Sequence, residues 1–293
     1  MKRCVLAANG KINLTLDVVG QRADGYHLLD MVMQSVSLHD VVTLERNDLG
    51  KILLTCDVPE IPCDERNIAY RCAALLLSHC QVEQGVTIHL EKHIPSQAGL
   101  GGGSADGAAV LVGLNELLEL GLSQAALCQL GVQIGADIPF CIVGGTQRCT
   151  GIGEVLSPLP ALSDCAIVLC KPPIDISTGE AYGKIDNGVI ASHPDNEALV
   201  QCLTVRDFRN TAKLAENVFL SAMPLEEVLA IRQRMLDSGA AGASMSGSGS
   251  AVFGLFHSFK EAARCAYDLK KTHPDTFMAI PAKTGVEILE RKF

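Results

Sequence analysis

From Lys11 the chain alternates Ile12, Leu14, Leu16 and Val18 with Asn13, Thr15 and Asp17, the period-two pattern of a strand with one apolar face. Asp24-Gly25 then marks a tight turn. Strand-forming runs follow over residues 41–46, 51–55 and from residue 86, and residues 67–80 between them carry helical apolar spacing. Residues 104–120 hold Ala109, Val112, Leu117 and Leu120 among other apolar positions, which predicts a helix buried on most faces. Gly121 stops that helix and Ser123 caps the next, over residues 124–135.

The pattern loosens at Pro158 and Pro160, the expected boundary between an N-terminal lobe (residues 1–157) and a C-terminal lobe (158–293). Beyond it come a strand at 166–170, an irregular Pro/Gly/Asn-rich stretch to about residue 196, and helices near 206–221 and 225–238. A Gly/Ser stretch, "GASMSGSGSAVFG", then runs directly into an apolar strand. Strand-rich and helical segments alternate in this way in an α+β chain.

Composition narrows the function classes. A formal net charge of -9 repels polyanions and argues against a nucleic-acid or anionic-membrane partner. The twelve cysteines are scattered without a CxxC pair, and the first residues lack a secretory apolar region, so reduced thiols in a cytoplasmic protein are expected. No apolar run approaches the ~18–20 uncharged residues of a membrane span. The expected partner is a small molecule, and the chain is expected to act as a monomer or homodimer.

The stretch "PSQAGLGGGSADGAA" carries the candidate chemistry. Glycines 101 to 103 let a backbone approach a ligand with N–H groups exposed, and the helix that follows adds its positive end, so the pair reads as an anion site, or else as a tight turn that permits close packing. A Walker A loop is excluded by the missing Gly-Lys-Ser/Thr ending, and a dinucleotide fingerprint by the missing acid ~20 residues on. The helix dipole supplies only ~0.3–1 kcal/mol, against ~8 kcal/mol for micromolar binding, so other parts of the fold must converge on the same anion. Asp137 in "GADIPFC" reads either as a turn aspartate or as a functional carboxylate, and Lys11 either as a surface lysine or as a cation of the site.

Taken together, the motifs resemble the GHMP kinases. "PSQAGLGGGSADGAA" is similar to their phosphate loop, "GASMSGSGSAVFG" to their C-terminal glycine motif, and "GADIPF" falls where the family has its catalytic aspartate. "GKINLTLDVVGQRADGYHLLDMVMQSVSLHD" resembles the branch that phosphorylates the 2-hydroxyl of a cytidine diphosphate-linked methylerythritol in non-mevalonate isoprenoid synthesis. The resemblance implies a two-lobed fold, with a ribosomal protein S5 domain 2-like N-terminal lobe and a ferredoxin-like C-terminal lobe, and an ATP- and Mg²⁺-dependent reaction.

It also implies site residues. Lys11 and Asp137 would meet the reacting hydroxyl, with the lysine keeping the carboxylate ionised. Pro95, Ser96, Gln97, Ala98, Gly99, Leu100, Gly101, Gly102, Gly103, Ser104 and Ala105 would wrap the ATP phosphates. Ser104 would donate its hydroxyl to a phosphate or to Mg²⁺, and Asn67 and Lys92 would approach the adenosine. Tyr26, His27 and Tyr182 would clamp the cytosine between aromatic faces, and Asn13 would touch the substrate beside Lys11. Asp106 either points away from the phosphates or reaches a water of the metal. Two departures, "ANGK" in place of a proline before the lysine and Ser96-Gln97 in the loop, bear on the adenine side.

Overall fold

The computed structural model describes residues 2–162, 164–188, 190 and 192–292; Ser163, in the expected boundary, lies outside them. The chain begins with β1 (Arg3–Gln21), β2 (His27–Asn47), β3 (Ile52–Cys56), α1 (Ile68–His79), β4 (Gly85–Glu91) and α2 (Gly102–Leu117). It continues through α3 (Gln124–Gly131), α4 (Ile138–Val143), β5 (Thr146–Gly151), β6 (Val155–Pro158) and β7 (Ala166–Cys170). Next are α5 (Thr178–Asn187), α6 (Asn196–Thr204), α7 (Phe208–Lys213), β8 (Glu216–Asn217), α8 (Val218–Ala222) and α9 (Glu226–Asp237). The chain closes with β9 (Gly242–Met245), β10 (Val252–Phe256), α10 (Phe259–Lys270), β11 (Thr276–Ala279) and β12 (Val286–Lys292).

A long β1–β2 hairpin is the spine. Along one sheet the order is β12-β1-β2-β4-β3, with β5 added on β2, β6 on β5 and β8 on β1. Register shifts at Asn9/Lys11, Asn13/Thr15 and Val18/Gly20 interrupt the hairpin ladder; such bulges re-aim side chains, and the first of them falls at Lys11. A second sheet, β11-β7-β10-β9, is antiparallel throughout and packs against α9 and α10. Because β12 returns to pair with β1, a single cut at 157/158 does not separate the two sheets.

The alternation in β1 predicts one buried face, yet both faces are buried. Asn13, Thr15 and Asp17 are as enclosed as the leucines between them. Their polar groups are satisfied by distant partners: Thr15 Oγ1 donates to Asn196 Oδ1 and Asp17 pairs with His193 at 2.7 Å. The stretch expected to be irregular contains α5, held by a capping box in which Ser177 and Glu180 each accept from the other's backbone N–H. The S-x-x-E spacing was the available signal for that helix. The expected helix over 206–221 is two short helices, α7 and α8, separated by β8.

Helix α2 is the core of the first layer, packed on β1 and β2 with α1 and α4 alongside. Its apolar residues from Ala105 to Leu117 are almost all buried. Gly113 lets the helix sit close to the sheet there, since a Cβ would lie 2.4 Å from Leu44 Cδ1 and 2.7 Å from Leu6 Cδ1 and both leucines would have to shift. Leu111 has no exposed surface, and Leu111→Ala is expected to lower the unfolding free energy by about 2–5 kcal/mol, read as a lower urea midpoint at unchanged slope. A loss below about 0.5 kcal/mol would mean that α2 is not the rigid centre of this layer.

Candidate active site

Between the mouth of the β1–β2 hairpin, the start of α2, the start of α4 and the turn between β9 and β10 lies a cleft of about 1050 Å³. Lys11, Asn13, Tyr26, His27, Asn67, Lys92, residues 95–104, Asp137 and Tyr182 all line it. Ala105 does not: it is fully buried in the first turn of α2, where its N–H donates to the Gly101 carbonyl at 2.8 Å. The helix begins at Gly102, two residues before the predicted start, so the N–H groups of glycines 102 and 103 belong to its open first turn.

Two backbone encounters shape the glycine loop. Gly101, with φ +73°, lies under the Lys11 side chain, and a Cβ there would come within 2.9 Å of Lys11 Cγ. The Lys11 N–H donates to the Leu100 carbonyl at 2.9 Å, so loop and strand hold each other. Gly99, at φ +72°, faces the β9–β10 turn, and a Cβ there would fall 2.0 Å from the Ser246 carbonyl oxygen. Ser246 Oγ donates to the Gly99 carbonyl at 2.9 Å, and the Ala251 N–H donates to the Ala98 carbonyl at 3.1 Å. The two glycine stretches therefore interlock backbone to backbone.

Lys11 and Asp137 converge at the centre. Lys11 Nζ donates to Asn13 Oδ1 at 2.7 Å and lies 3.7 Å from Asp137 Oδ2. The lysine side chain is 5% exposed and the aspartate 33%, so the carboxylate is the partner that opens to the cleft. Asp137 occupies the N-cap position of α4 without using its side chain as a cap, which leaves both oxygens available. Asn13 is otherwise committed: Oδ1 also accepts from the Gly247 N–H at 3.0 Å, and Nδ2 contacts Met31 Sδ at 3.1 Å. Its amide oxygen thus positions Lys11, while the residue also lines the cleft.

On the far side of the loop, Lys92 is enclosed. Its ammonium is held between the carboxylates of Asp40 and Asp106, with the lysine side chain 7% exposed. Two of the three ammonium N–H donors are taken by these counter-ions, as a buried cation requires, while Lys92 still lines the cleft. Asp106 is pushed up to about 7 by burial first and by the nearby Asp40 carboxylate, against the pull of Lys92. Asn67 caps α1 by accepting from the Ala69 N–H and donating to the Pro62 carbonyl, both at 2.8 Å, so it shapes the loop of Ile61, Pro62 and Arg66 on the cleft wall.

The opposite end is aromatic. Tyr26, just past the Asp24-Gly25 turn, is 60% exposed. His27 stacks on Tyr182 with ring centroids 4.5 Å apart and planes 24° apart, and its Nε2 lies 2.7 Å from Asp186 Oδ1 on α5. Tyr182 also meets the edge of Phe219 at 5.0 Å, and burial pushes its phenol up. No slot exists between His27 and Tyr182, so a flat ligand has the exposed Tyr26 as its free face. Phe219 on α8 carries no motif of its own and was not foreseen; it enters because α8 packs against α5.

No group of three or more His, Cys, Asp or Glu side chains able to hold a metal ion is found among the described residues, and no helix among them is long and apolar enough to cross a membrane. The cysteines are free thiols; burial pushes that of Cys72 up to about 12.

Comparison with known proteins gives the family. The model of the GHMP kinases N terminal domain matches residues 67–145 and that of the GHMP kinases C terminal domain matches residues 196–275. A 4-diphosphocytidyl-2-C-methyl-D-erythritol kinase from Clostridium acetobutylicum is 42% identical over 275 residues, 92% of this chain and 97% of that protein. A crystal structure of 4-(cytidine 5'-diphospho)-2C-methyl-D-erythritol kinase superposes with a TM-score of 0.79 at 32% identity, covering 95% of this chain and 99% of the other. A homoserine kinase from Cytophaga hutchinsonii shares the fold alone, with a TM-score of 0.78 at 19% identity over 98% of this chain and 97% of its own. With both family domains matched and such identity over nearly its whole length, the chain belongs to the GHMP kinases and, within them, to the 4-diphosphocytidyl-2-C-methyl-D-erythritol kinase family.

Proposed function

We propose that this chain transfers the terminal phosphoryl group of ATP to the 2-hydroxyl of 4-diphosphocytidyl-2-C-methyl-D-erythritol. The observation that carries the reading is the Lys11–Asp137 pair, placed between a glycine loop suited to phosphates and an aromatic end suited to a base. The triphosphate lies along residues 95–104 with its anionic end at the first turn of α2. Asp137 orients the substrate hydroxyl and accepts its proton as the hydroxyl oxygen bonds to the γ-phosphorus. The bond from that phosphorus to the bridging oxygen breaks, and ADP leaves with the electron pair.

Lys11, fixed by Asn13 and by the loop beneath it, offsets charge on the transferred group. Positioning and electrostatics of this kind account for most catalysis in phosphoryl transfer. Mg²⁺ bound with ATP would neutralise part of the phosphate charge, and the hydroxyl of Ser104, on the cleft wall, stands ready for it or for a phosphate oxygen.

The cytosine rests against Tyr26, with His27 and Tyr182 forming the wall behind. Stacking of a base on an aromatic ring is worth about 1–3 kcal/mol. Tyr182→Ala removes the support of that wall, and is expected to raise KM for the cytidyl substrate about tenfold or more while leaving KM for ATP near its wild-type value. An unchanged KM for the cytidyl substrate would remove the aromatic wall from recognition.

The test of the whole reading is ADP release by the purified protein with Mg-ATP and, in parallel, the cytidyl compound, homoserine or mevalonate. Turnover with the cytidyl compound alone is the expected result. Turnover with a plain alcohol instead would keep Lys11 and Asp137 but discard the base clamp, and no turnover with the cytidyl compound sinks the assignment.

A further inference from the structure

One buried polar atom on the cleft wall has no use in the scheme above. Asp106 lies on α2 two residues beyond Ser104, and its side chain is 5% exposed. Its Oδ2 pairs with Lys92, while its Oδ1 is buried without a hydrogen-bond partner although the residue lines the cleft. The other carboxylate on Lys92 is fully used: Asp40 Oδ1 accepts from the His93 and Ile94 N–H groups at 2.6 and 2.8 Å, and Oδ2 pairs with Lys92. A buried acceptor left unmatched costs about 1–3 kcal/mol, more when it is charged. Two carboxylates around one ammonium also leave an excess negative charge beside the place where phosphates dock.

A divalent cation resolves both problems. Mg²⁺ takes oxygen ligands, keeps several waters, and is usually held by one or two carboxylates together with substrate phosphates. Among the described residues no cluster of three or more metal-binding side chains exists, so a cation here needs phosphates to complete its shell. We propose that Asp106 Oδ1 is the protein's carboxylate ligand for the divalent cation that enters with the nucleotide. This rests on the reading of the cleft as a nucleotide site. The movement required is a turn of the carboxylate about χ2, a soft two-fold torsion, that presents Oδ1 to the cleft while the other oxygen keeps Lys92. Ser104 lines the same cleft from another face of the helix.

The experiment is the binding of ADP by the purified protein with and without Mn²⁺ as the metal probe, in the wild type and in Asp106→Asn. The ratio of the two ADP dissociation constants isolates the contribution of the metal from any general effect of the substitution on the fold. The expected result is a ratio at least about tenfold smaller in Asp106→Asn, with metal-free ADP bound as well as by the wild type or better, since a negative charge has gone. An unchanged ratio overturns the proposal.

A second measurement does not depend on that variant. In Asp137→Asn protein carrying carboxyl-¹³C aspartate, electron–nuclear double resonance of the Mn²⁺–ADP complex should show coupling from the metal to a carboxyl carbon. Retained Mn²⁺ without that coupling overturns the proposal and leaves the nucleotide reading standing. Failure of the wild type to bind ADP under either condition removes the nucleotide reading and this inference with it.

Discussion

Asp137→Asn is expected to lower kcat by about 10²–10⁴-fold, the range for loss of a positioned general base, while KM for ATP stays within about threefold of wild type. Asparagine has the same shape and keeps one carbonyl oxygen, but it cannot take a proton and no longer balances Lys11. The fold should tolerate the change. The Asp137 side chain does not cap α4 and is one-third exposed, and its contact with Lys11 is an ion pair at 3.7 Å, beyond hydrogen-bond length. Lys11, only 5% exposed, loses its counter-charge, so a lower melting temperature is expected and is measured beside the kinetics as the control. Steady-state kinetics at saturating ATP and cytidyl substrate decide the matter. A rise in KM for ATP as large as the fall in kcat would make the residue part of the nucleotide cradle rather than of the chemistry.

Gly99→Ala should have the other large effect, and on binding rather than turnover. Alanine at φ +72° carries the left-handed penalty of about 1–2 kcal/mol, and its methyl would have to occupy a point 2.0 Å from the Ser246 carbonyl oxygen. Backbone rather than a flexible side chain stands in the way, so the two glycine stretches must part. That separation breaks the Ser246–Gly99 and Ala251–Ala98 hydrogen bonds, each worth about 0.5–1.5 kcal/mol, and it displaces Gly247, whose N–H fixes Asn13 and through it Lys11. KM for ATP is expected to rise about tenfold or more, with a lower melting temperature. Gly121→Ala is the matched control. It also has positive φ, at +68°, but nothing lies within 4 Å of its added Cβ, so it should cost stability alone. Equal nucleotide affinity in the two variants would mean that the meeting of the glycine stretches does not shape the cradle.

Much of the site was legible because its signals are local. A Gly-rich segment ahead of a helical apolar run has one common physical use, and the helix that follows does open its first turn on the cleft. Ser123 accepts from the Ala126 N–H as its place before an apolar helix implied. Asp137 and Lys11 were marked as candidates, with a bland alternative for each, because a turn aspartate and a surface lysine look the same within a few residues of sequence. Local rules are silent where a side chain answers to a distant partner. The family resemblance implies ligand contacts for Asn13 and Asn67, and each also hydrogen-bonds distant protein groups. The resemblance likewise sets Lys92 near adenosine, and its ammonium is paired with carboxylates 52 and 14 residues away.

By itself, then, the sequence determined the α+β alternation, the main helix α2, the loop ahead of it and a short list of candidate site residues, since these depend on backbone propensity and on the chemical identity of side chains. Tertiary structure alone decided that β12 returns to β1, that both faces of β1 are buried, that the two glycine stretches touch, and that His27 closes on Tyr182. Each of these joins residues far apart in the chain. Their energies come from burial, and from pairing that exists only after burial has brought the partners together; no periodicity or motif within a window of sequence records which partner that will be.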